Sequence, residues 1–204
     1  MQIGILGHTK LAIALGKLFS SRGLEVIYGV GGDFSPKDVH WKILQMNEGR
    51  IKTVQETIEA SDVVMICCKN NSLSEISANL ILCNLEDKII IDCTNGSYEL
   101  DFHSNTQLLQ KRTGGKKIFK AFNNLGMEYP NNDPMGLIKE TYFCGPDIPE
   151  KQTVKKLISL IGFRPIDAGG LENAHLLEAM FHLRNEISSR QKERTDYHFK
   201  LISV

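Results

Sequence analysis

The sequence lacks the marks of several large protein classes. Its 24 lysines and arginines are balanced by 24 aspartates and glutamates. That leaves no net charge to hold nucleic acid or an anionic membrane surface. No apolar run reaches the length of a membrane span, and the first residues read as a strand rather than a signal peptide. The five cysteines, Cys67, Cys68, Cys83, Cys93 and Cys144, contain no C-x-x-C spacing, and the six histidines show no metal-ligand spacing. An odd number of cysteines in mostly apolar runs reads as buried free thiols in a reducing cytoplasm. There is no internal repeat and no low-complexity segment. What remains is a chain of 204 residues, 42% hydrophobic, long enough for one domain, or one and a fraction, with a proper core.

The opening residues, MQIGILGHTKLAIALGKLFSSRGLEVIYGV, are the most telling. Residues 2–6 form a short apolar run suited to a buried parallel strand. Gly7 follows at once, where the chain must turn. Leu11, Ala12, Ala14, Leu15, Leu18 and Phe19 recur at helical spacing, Arg22 and Gly23 close the helix, and residues 25–28 form a second strand. Strand, glycine turn, helix and strand make the unit whose helix N-terminus receives a dinucleotide pyrophosphate. The usual fingerprint is G-x-G-x-x-G/A, and here it reads Gly7-His8-Thr9-Lys10-Leu11-Ala12. The second glycine is missing. Thr9 stands in its place, with a hydroxyl able to donate to a phosphate, and Lys10 adds a cation beside it. A strand–helix unit without a ligand is the plainer alternative.

Further strands are expected over residues 62–68 (DVVMICC), 88–93 (KIIIDC), 117–122 (KIFKAF), 141–144 and 165–167. Helices are expected over 54–60, 73–82, 106–110 and 151–161. Strands alternating with helices predict an α/β fold with a doubly wound parallel sheet. Ligands bind such sheets at the carboxyl ends of the strands. That points to residues 30–33, 69–72, 94–96 and 123–126. Asn95 and Asn123 each read equally well as turn residues.

Motifs along most of the chain resemble one family. They are IGILG at the start, DVVMICC, IIIDCTNG at 89–96, KAFNNLG at 120–126, YFCGPD at 142–147 and GFRPIDAGGLENAHLLE at 162–178. The chain resembles the NADP oxidoreductases that use the deazaflavin coenzyme factor 420, with their bacterial relatives. It is also similar to the cytoplasmic reductase domain of six-transmembrane metalloreductases. The resemblance implies a Rossmann-type NAD(P)-binding fold and hydride transfer at nicotinamide C4, with a flavin or deazaflavin as second substrate. Such chemistry needs two flat rings held close rather than a protein nucleophile, so no catalytic residue and no metal ligand is assigned. The cofactor contacts that carry over are Gly7, His8, Thr9, Lys10 and Leu11 in the first turn. Val30 and Gly31 follow the second strand, Cys68, Lys69 and Asn70 follow the DVVMICC strand, and Thr94, Asn95 and Asn123 complete the set.

Two departures bear on the cofactor. Relatives end the second strand in a Gly-Ser-Arg type sequence that grips the NADP 2′-phosphate. Here the stretch is Gly29-Val30-Gly31-Gly32-Asp33, without Ser or Arg. The resemblance implies NADP, whereas the residues argue for NAD or weak discrimination. Lys10 and Lys37 are point charges that can approach the phosphate. Relatives also carry a Pro and an aromatic after the DVVMICC strand, where this chain has Lys69-Asn70-Asn71. The aromatics Phe122, Tyr129 and Phe143 read as core more readily than as a stacking platform.

Residues 1–170 are expected to form the dinucleotide-binding domain. Residues 171–204 are expected to supply a C-terminal helix and tail packed on it, with no large separate helical domain. Leu177, Met180, Phe181, Arg184 and Ile187 share a helix face, for packing on the sheet or for a homodimer contact. The polar run 188–200 reads as a solvated helix end or a frayed tail. Three functions follow: a cytoplasmic NAD(P)-dependent oxidoreductase; a dinucleotide sensor without catalysis; or an imine or carbonyl reductase related to pyrroline-carboxylate reductases.

Overall fold

The computed structural model describes residues 1–32, 34–35, 39–46, 50–96, 104–125, 139–191 and 197–202. Asp33, Lys37, Gly126 and Tyr129, singled out above, lie outside the described residues, as does part of the polar tail.

The strands are β1 (Gln2–Leu6), β2 (Glu25–Val30), β3 (Ile51–Thr53), β4 (Val63–Ile66), β5 (Ile89–Asp92), β6 (Ile118–Ala121), β7 (Glu140–Cys144) and β8 (Arg164–Asp167). The helices are α1 (Lys10–Ser21), α2 (Val39–Met46), α3 (Val54–Ala60), α4 (Asn70–Leu82), α5 (Asn105–Thr113), α6 (Glu150–Leu160) and α7 (Ala174–Ser189). The strands form one sheet in the order β3-β2-β1-β4-β5-β6-β7-β8.

The central strands β1, β4, β5 and β6 are almost wholly buried, as expected of strands covered on both faces. Side chains alternate between two cores. Ile3, Ile5, Val63, Met65, Ile89 and Ile91 face Leu15 and Phe19 of α1, Trp41 of α2 and Val154 and Leu157 of α6. Leu6, Val64, Ile66, Ile90 and Ile118 face Val54 and Ile58 of α3, Ile76 and Leu80 of α4 and Leu109 of α5. A smaller cluster joins Tyr142 and Cys144 of β7 to Ala174 and Leu177 of α7.

The doubly wound sheet is therefore as expected, with one exception. β7 runs antiparallel to β6, pairing Lys120 with Cys144 and Ala121 with Phe143. An antiparallel pair needs no crossover connection. The helix α2 and the three-residue β3 were not expected from the sequence. No helix among the described residues is long and apolar enough to cross a membrane. The inward face of α7 carries Ala174, Leu177, Glu178 and Arg184, so this helix does pack on the sheet.

The strand order reverses between β1 and β4, which neighbour each other although β2 and β3 intervene in sequence. That crossing opens a crevice at the carboxyl ends of both strands, where α/β sheets bind ligands.

Candidate functional site

At the crevice the chain leaves β1 through Gly7, which has φ 110°. A Cβ built there would lie 2.7 Å from the Cys67 carbonyl oxygen and 2.8 Å from Cys68 Cα. The turn thus needs glycine twice over, for its backbone angle and for its approach to the end of β4. Thr9 caps α1: its Oγ1 accepts from the Ala12 amide at 3.2 Å and donates to the Cys67 carbonyl at 2.7 Å. This corrects the sequence expectation. The one hydroxyl proton of Thr9 is committed to Cys67, so Thr9 ties the turn to β4 rather than donating to a phosphate. The contribution left to the turn is backbone: the first amides of a helix find no acceptor within the helix and favour an anion.

Two cavities meet at this turn. One of about 130 Å³ is lined by Gly7, His8, Thr9, Gly29, Gly31, Cys68 and Lys69, with Val54 of α3 and Asn71, Ser72, Glu75 and Ile76 of α4. The other, of about 310 Å³, is lined by Thr9, Leu11, Cys67, Cys68, Lys69 and Asn70, by Cys93, Thr94, Asn95 and Gly96 after β5, and by Phe181 and His182 of α7. Thr9, Cys68 and Lys69 line both. Lys69 is exposed at the N-cap of α4, a cation at the junction of the two compartments. The thiols are not poised nucleophiles. Burial pushes the Cys68 thiol up to about 12, and a hydrogen bond with Cys93, together with burial, pushes Cys67 well up.

The floor of the larger cavity is the segment Thr94-Asn95-Gly96, fastened by side chains from four elements. Asp92 at the end of β5 accepts from the Thr94 amide at 2.9 Å and its hydroxyl at 2.7 Å. Lys120 of β6 donates to the Thr94 carbonyl at 2.5 Å. Glu178 of α7 accepts from the Gly96 amide at 2.7 Å, and His182 Nε2 lies 2.7 Å from the Gly96 carbonyl. Asn123 donates to the Thr94 carbonyl at 2.9 Å and to Asn95 Oδ1 at 2.8 Å. Asn123 Oδ1, though buried, has no donor among the described residues. The residue before it, Phe122, is non-glycine with φ 68°, a strained conformation that delivers Asn123 to the floor.

Beneath the floor, Lys120, Asp92 and Glu178 are fully buried and paired, Lys120 Nζ lying 2.8 Å from Asp92 Oδ2 and 2.5 Å from Glu178 Oε1. Burial works against the Lys120 charge, but the two carboxylates outweigh it and raise its pKa. Burial pushes the Glu178 carboxyl up, Lys120 pulls it back and Asp92 adds to the rise.

Of the residues named from the sequence, Gly7, His8, Thr9, Gly31, Cys68 and Lys69 line the smaller cavity. Thr9, Leu11, Cys68, Lys69, Asn70, Thr94 and Asn95 line the larger. Lys10 is exposed on the first turn and Val30 ends β2, pairing with Thr53. Asn123 lies behind the floor. Phe122 and Phe143 are core, each 1% exposed. Sequence reasoning missed the wall residues Phe181 and His182 and the whole Asp92–Lys120–Glu178 group. A signal was present: a charged residue inside an apolar strand, as in IIID and IFKA, must find a partner to be buried.

Residues 2–96 match the family model described as NADP oxidoreductase, coenzyme F420-dependent. That is the family the motifs resemble. The metalloreductase STEAP3 of Rattus norvegicus is 24% identical over 88% of this chain, and this chain spans 36% of that relative's length. Among solved structures, a candidate F420-dependent NADP reductase from Arthrobacter sp. FB24 superposes with a TM-score of 0.76 at 16% identity, covering 100% of both chains. An imine reductase variant from Myxococcus stipitatus, in complex with NAD+, superposes with a TM-score of 0.63 at 14% identity, over 91% of this chain and 62% of that one. At these identities the structures establish the shared Rossmann-type fold.

Proposed function

We propose that this protein is a cytoplasmic NAD(P)-dependent oxidoreductase that moves a hydride between nicotinamide C4 and a flavin-like, deazaflavin-like or other small acceptor. The observation that carries the reading is the two-chambered crevice at the β1–β4 crossing, with Thr9, Cys68 and Lys69 at the junction. A dinucleotide has two nucleoside ends joined by a diphosphate, and the crevice has that division. The first-turn amides of α1, with Lys10 and Lys69, hold the diphosphate. Gly7, His8, Val30 and Gly31 take the adenosine end. Leu11, Cys68, Asn70, Thr94 and Asn95 take the nicotinamide end, with Asn123 behind them holding Asn95 in place.

When bound, the nicotinamide supplies the hydride chemistry at C4. The protein supplies proximity: Leu11, Cys67, Cys93 and Phe181 form an apolar wall that excludes water, and the fastened floor fixes the amide of Asn95. The family is one of NADP enzymes, but this chain lacks an arginine after β2. Glu75 lines the smaller cavity and opposes a 2′-phosphate. Weak discrimination between NADP and NAD follows. Reduction of an imine or carbonyl is a third reading after the sensor; His182 lines the larger cavity, with its Nε2 engaged by the Gly96 carbonyl.

Residues 1–170 act as the nucleotide-binding domain and 171–204 as its appended helix and tail. The outer side of α7, with Leu176 51% and Leu183 54% exposed, serves as a homodimer contact beside the Phe181–His182 wall. Sedimentation at micromolar concentration reads this directly, and a monomer there refutes the dimer.

The test of the activity is fluorescence titration with NADPH and NADH, followed by oxidation with flavin, deazaflavin and ferric acceptors. Turnover with a flavin-class acceptor supports the proposal. Binding without turnover moves the assignment to a sensor. Failure to bind either nucleotide refutes every version.

A further inference from the structure

We propose that the buried Asp92–Lys120–Glu178 group carries a net negative charge beneath the nicotinamide chamber and biases the site toward the oxidised, cationic ring. The inference rests on the nucleotide reading above.

Hydrogen bonding fixes the charge of each member. Asp92 receives four donors: the Thr94 amide and hydroxyl on Oδ1, and the Thr106 hydroxyl (2.6 Å) and Lys120 Nζ on Oδ2. The Thr94 hydroxyl donates there while its oxygen accepts from Asn105 Nδ2 at 2.8 Å. Glu178 receives three donors: the Gly96 amide on Oε2, and the Asn105 amide (3.0 Å) and Lys120 Nζ on Oε1. Glu178 faces only N–H donors, and Asp92 faces an amide and the Lys120 ammonium beside its two hydroxyls; these donors favour the anion of each carboxyl against the burial that pushes Glu178 up. Lys120 spends its three protons on Asp92, Glu178 and the Thr94 carbonyl, which is the pattern of an ammonium. Two anions and one cation leave one negative charge with 0% exposure.

This charge reaches the chamber through the floor. Asp92 and Glu178 bind the amides of Thr94 and Gly96, and both of those residues line the cavity. In a low-dielectric setting an uncompensated charge acts over several ångströms with little screening. Loss of hydride turns a neutral dihydronicotinamide into a cation. The acceptor, of flavin class, takes the hydride and is completed by a proton from solvent. A fixed anion below the ring therefore stabilises the product side of that transfer and makes the bound reduced cofactor a stronger hydride donor. Asp92 and Glu178 do this without touching the ring.

The experiment compares dissociation constants of oxidised and reduced cofactor, using NAD+ with NADH and NADP+ with NADPH, in wild type, Asp92→Asn and Glu178→Gln. Wild type is expected to bind the oxidised forms more tightly than the reduced. Each variant removes one negative charge and is expected to lower that preference by roughly five- to tenfold, through weaker binding of the oxidised form. Thr106→Val removes a hydrogen bond without changing charge and is expected to leave the ratio unchanged. A purely structural role would weaken both forms equally, and an unchanged ratio in the two charge variants overturns the proposal. Should those variants fail to fold, tighter binding of the reduced forms by wild type overturns it alone. Failure to bind any of the four nucleotides refutes the function proposed above and this inference with it, whereas binding with an unchanged ratio overturns this inference alone.

Discussion

At the β1–α1 end of the crevice the site is shaped by backbone: a glycine at φ 110°, a threonine cap and helix amides. At the β5–β6–α7 end it is shaped by three buried charges drawn from separate elements. The first end is local, its pieces lying within a few residues along the chain except for the bond from Thr9 to Cys67. The second is assembled at long range. Lys120 and Glu178 are 58 residues apart, and Gly96 and Glu178 are 82 apart. The first needs the right residue at one position. The second needs all its members together, because a buried charge without its partner is costly.

Lys120→Met should separate the two ends most sharply. It leaves two carboxylates buried side by side and is expected to cost about 3–5 kcal/mol in urea unfolding. Gly7→Val should act at the other end, forcing a Cβ against Cys67 in a left-handed turn. It is expected to cost about 1–3 kcal/mol and to abolish nucleotide binding in the same fluorescence titration. If Gly7→Val binds normally, the glycine turn is not the phosphate site.

The same contrast governs what could be read from the sequence. Gly7, the apolar spacing of α1 and the strand runs are local signals, and they place the first turn and most of the sheet. Thr9 was legible as an anomaly but not in its role, since its bond partner is at the end of β4. Asp92, Lys120 and Glu178 sit in three separate motifs whose proximity only the strand order supplies. The strand β3 escaped because it is short. β3 has just three residues, Ile-Lys-Thr, with no apolar run.

Smaller effects sharpen the comparison. Thr9→Gly should lose about 1 kcal/mol with its two hydrogen bonds yet still bind nucleotide. Thr9→Glu should not bind, because it sets an anion against the diphosphate. Normal binding by Thr9→Glu would remove the phosphates from this turn.

Alkali tests the burial of the sheet. Burial raises both Tyr28 and Tyr142 from 10.0 to about 12, with Glu140 adding to the rise at Tyr142. A raised pKa means that the folded state holds its proton longer than the unfolded chain. The stability this confers is complete below pH 10 and is lost as pH climbs through 12. Lys120, also raised, contributes in the same direction. Tyrosinate absorbance should therefore show these two phenols ionising together with unfolding. Early, independent ionisation of either would contradict their burial.

The mildest change is Lys69→Ala. Lys69 is exposed, so thermal stability should not move, while nucleotide affinity should fall roughly fivefold, about 1 kcal/mol. A shifted melting temperature with unchanged affinity would make Lys69 structural.

The central claim is that a nicotinamide dinucleotide lies across the β1–β4 crossing. Hydrogen–deuterium exchange with and without saturating NADPH or NADH tests it most directly. Protection is predicted over residues 7–12, 67–71 and 93–96, on both sides of the junction. Protection confined to the opposite end of the sheet, around 85–87 and 113–117, or none at all, would contradict it.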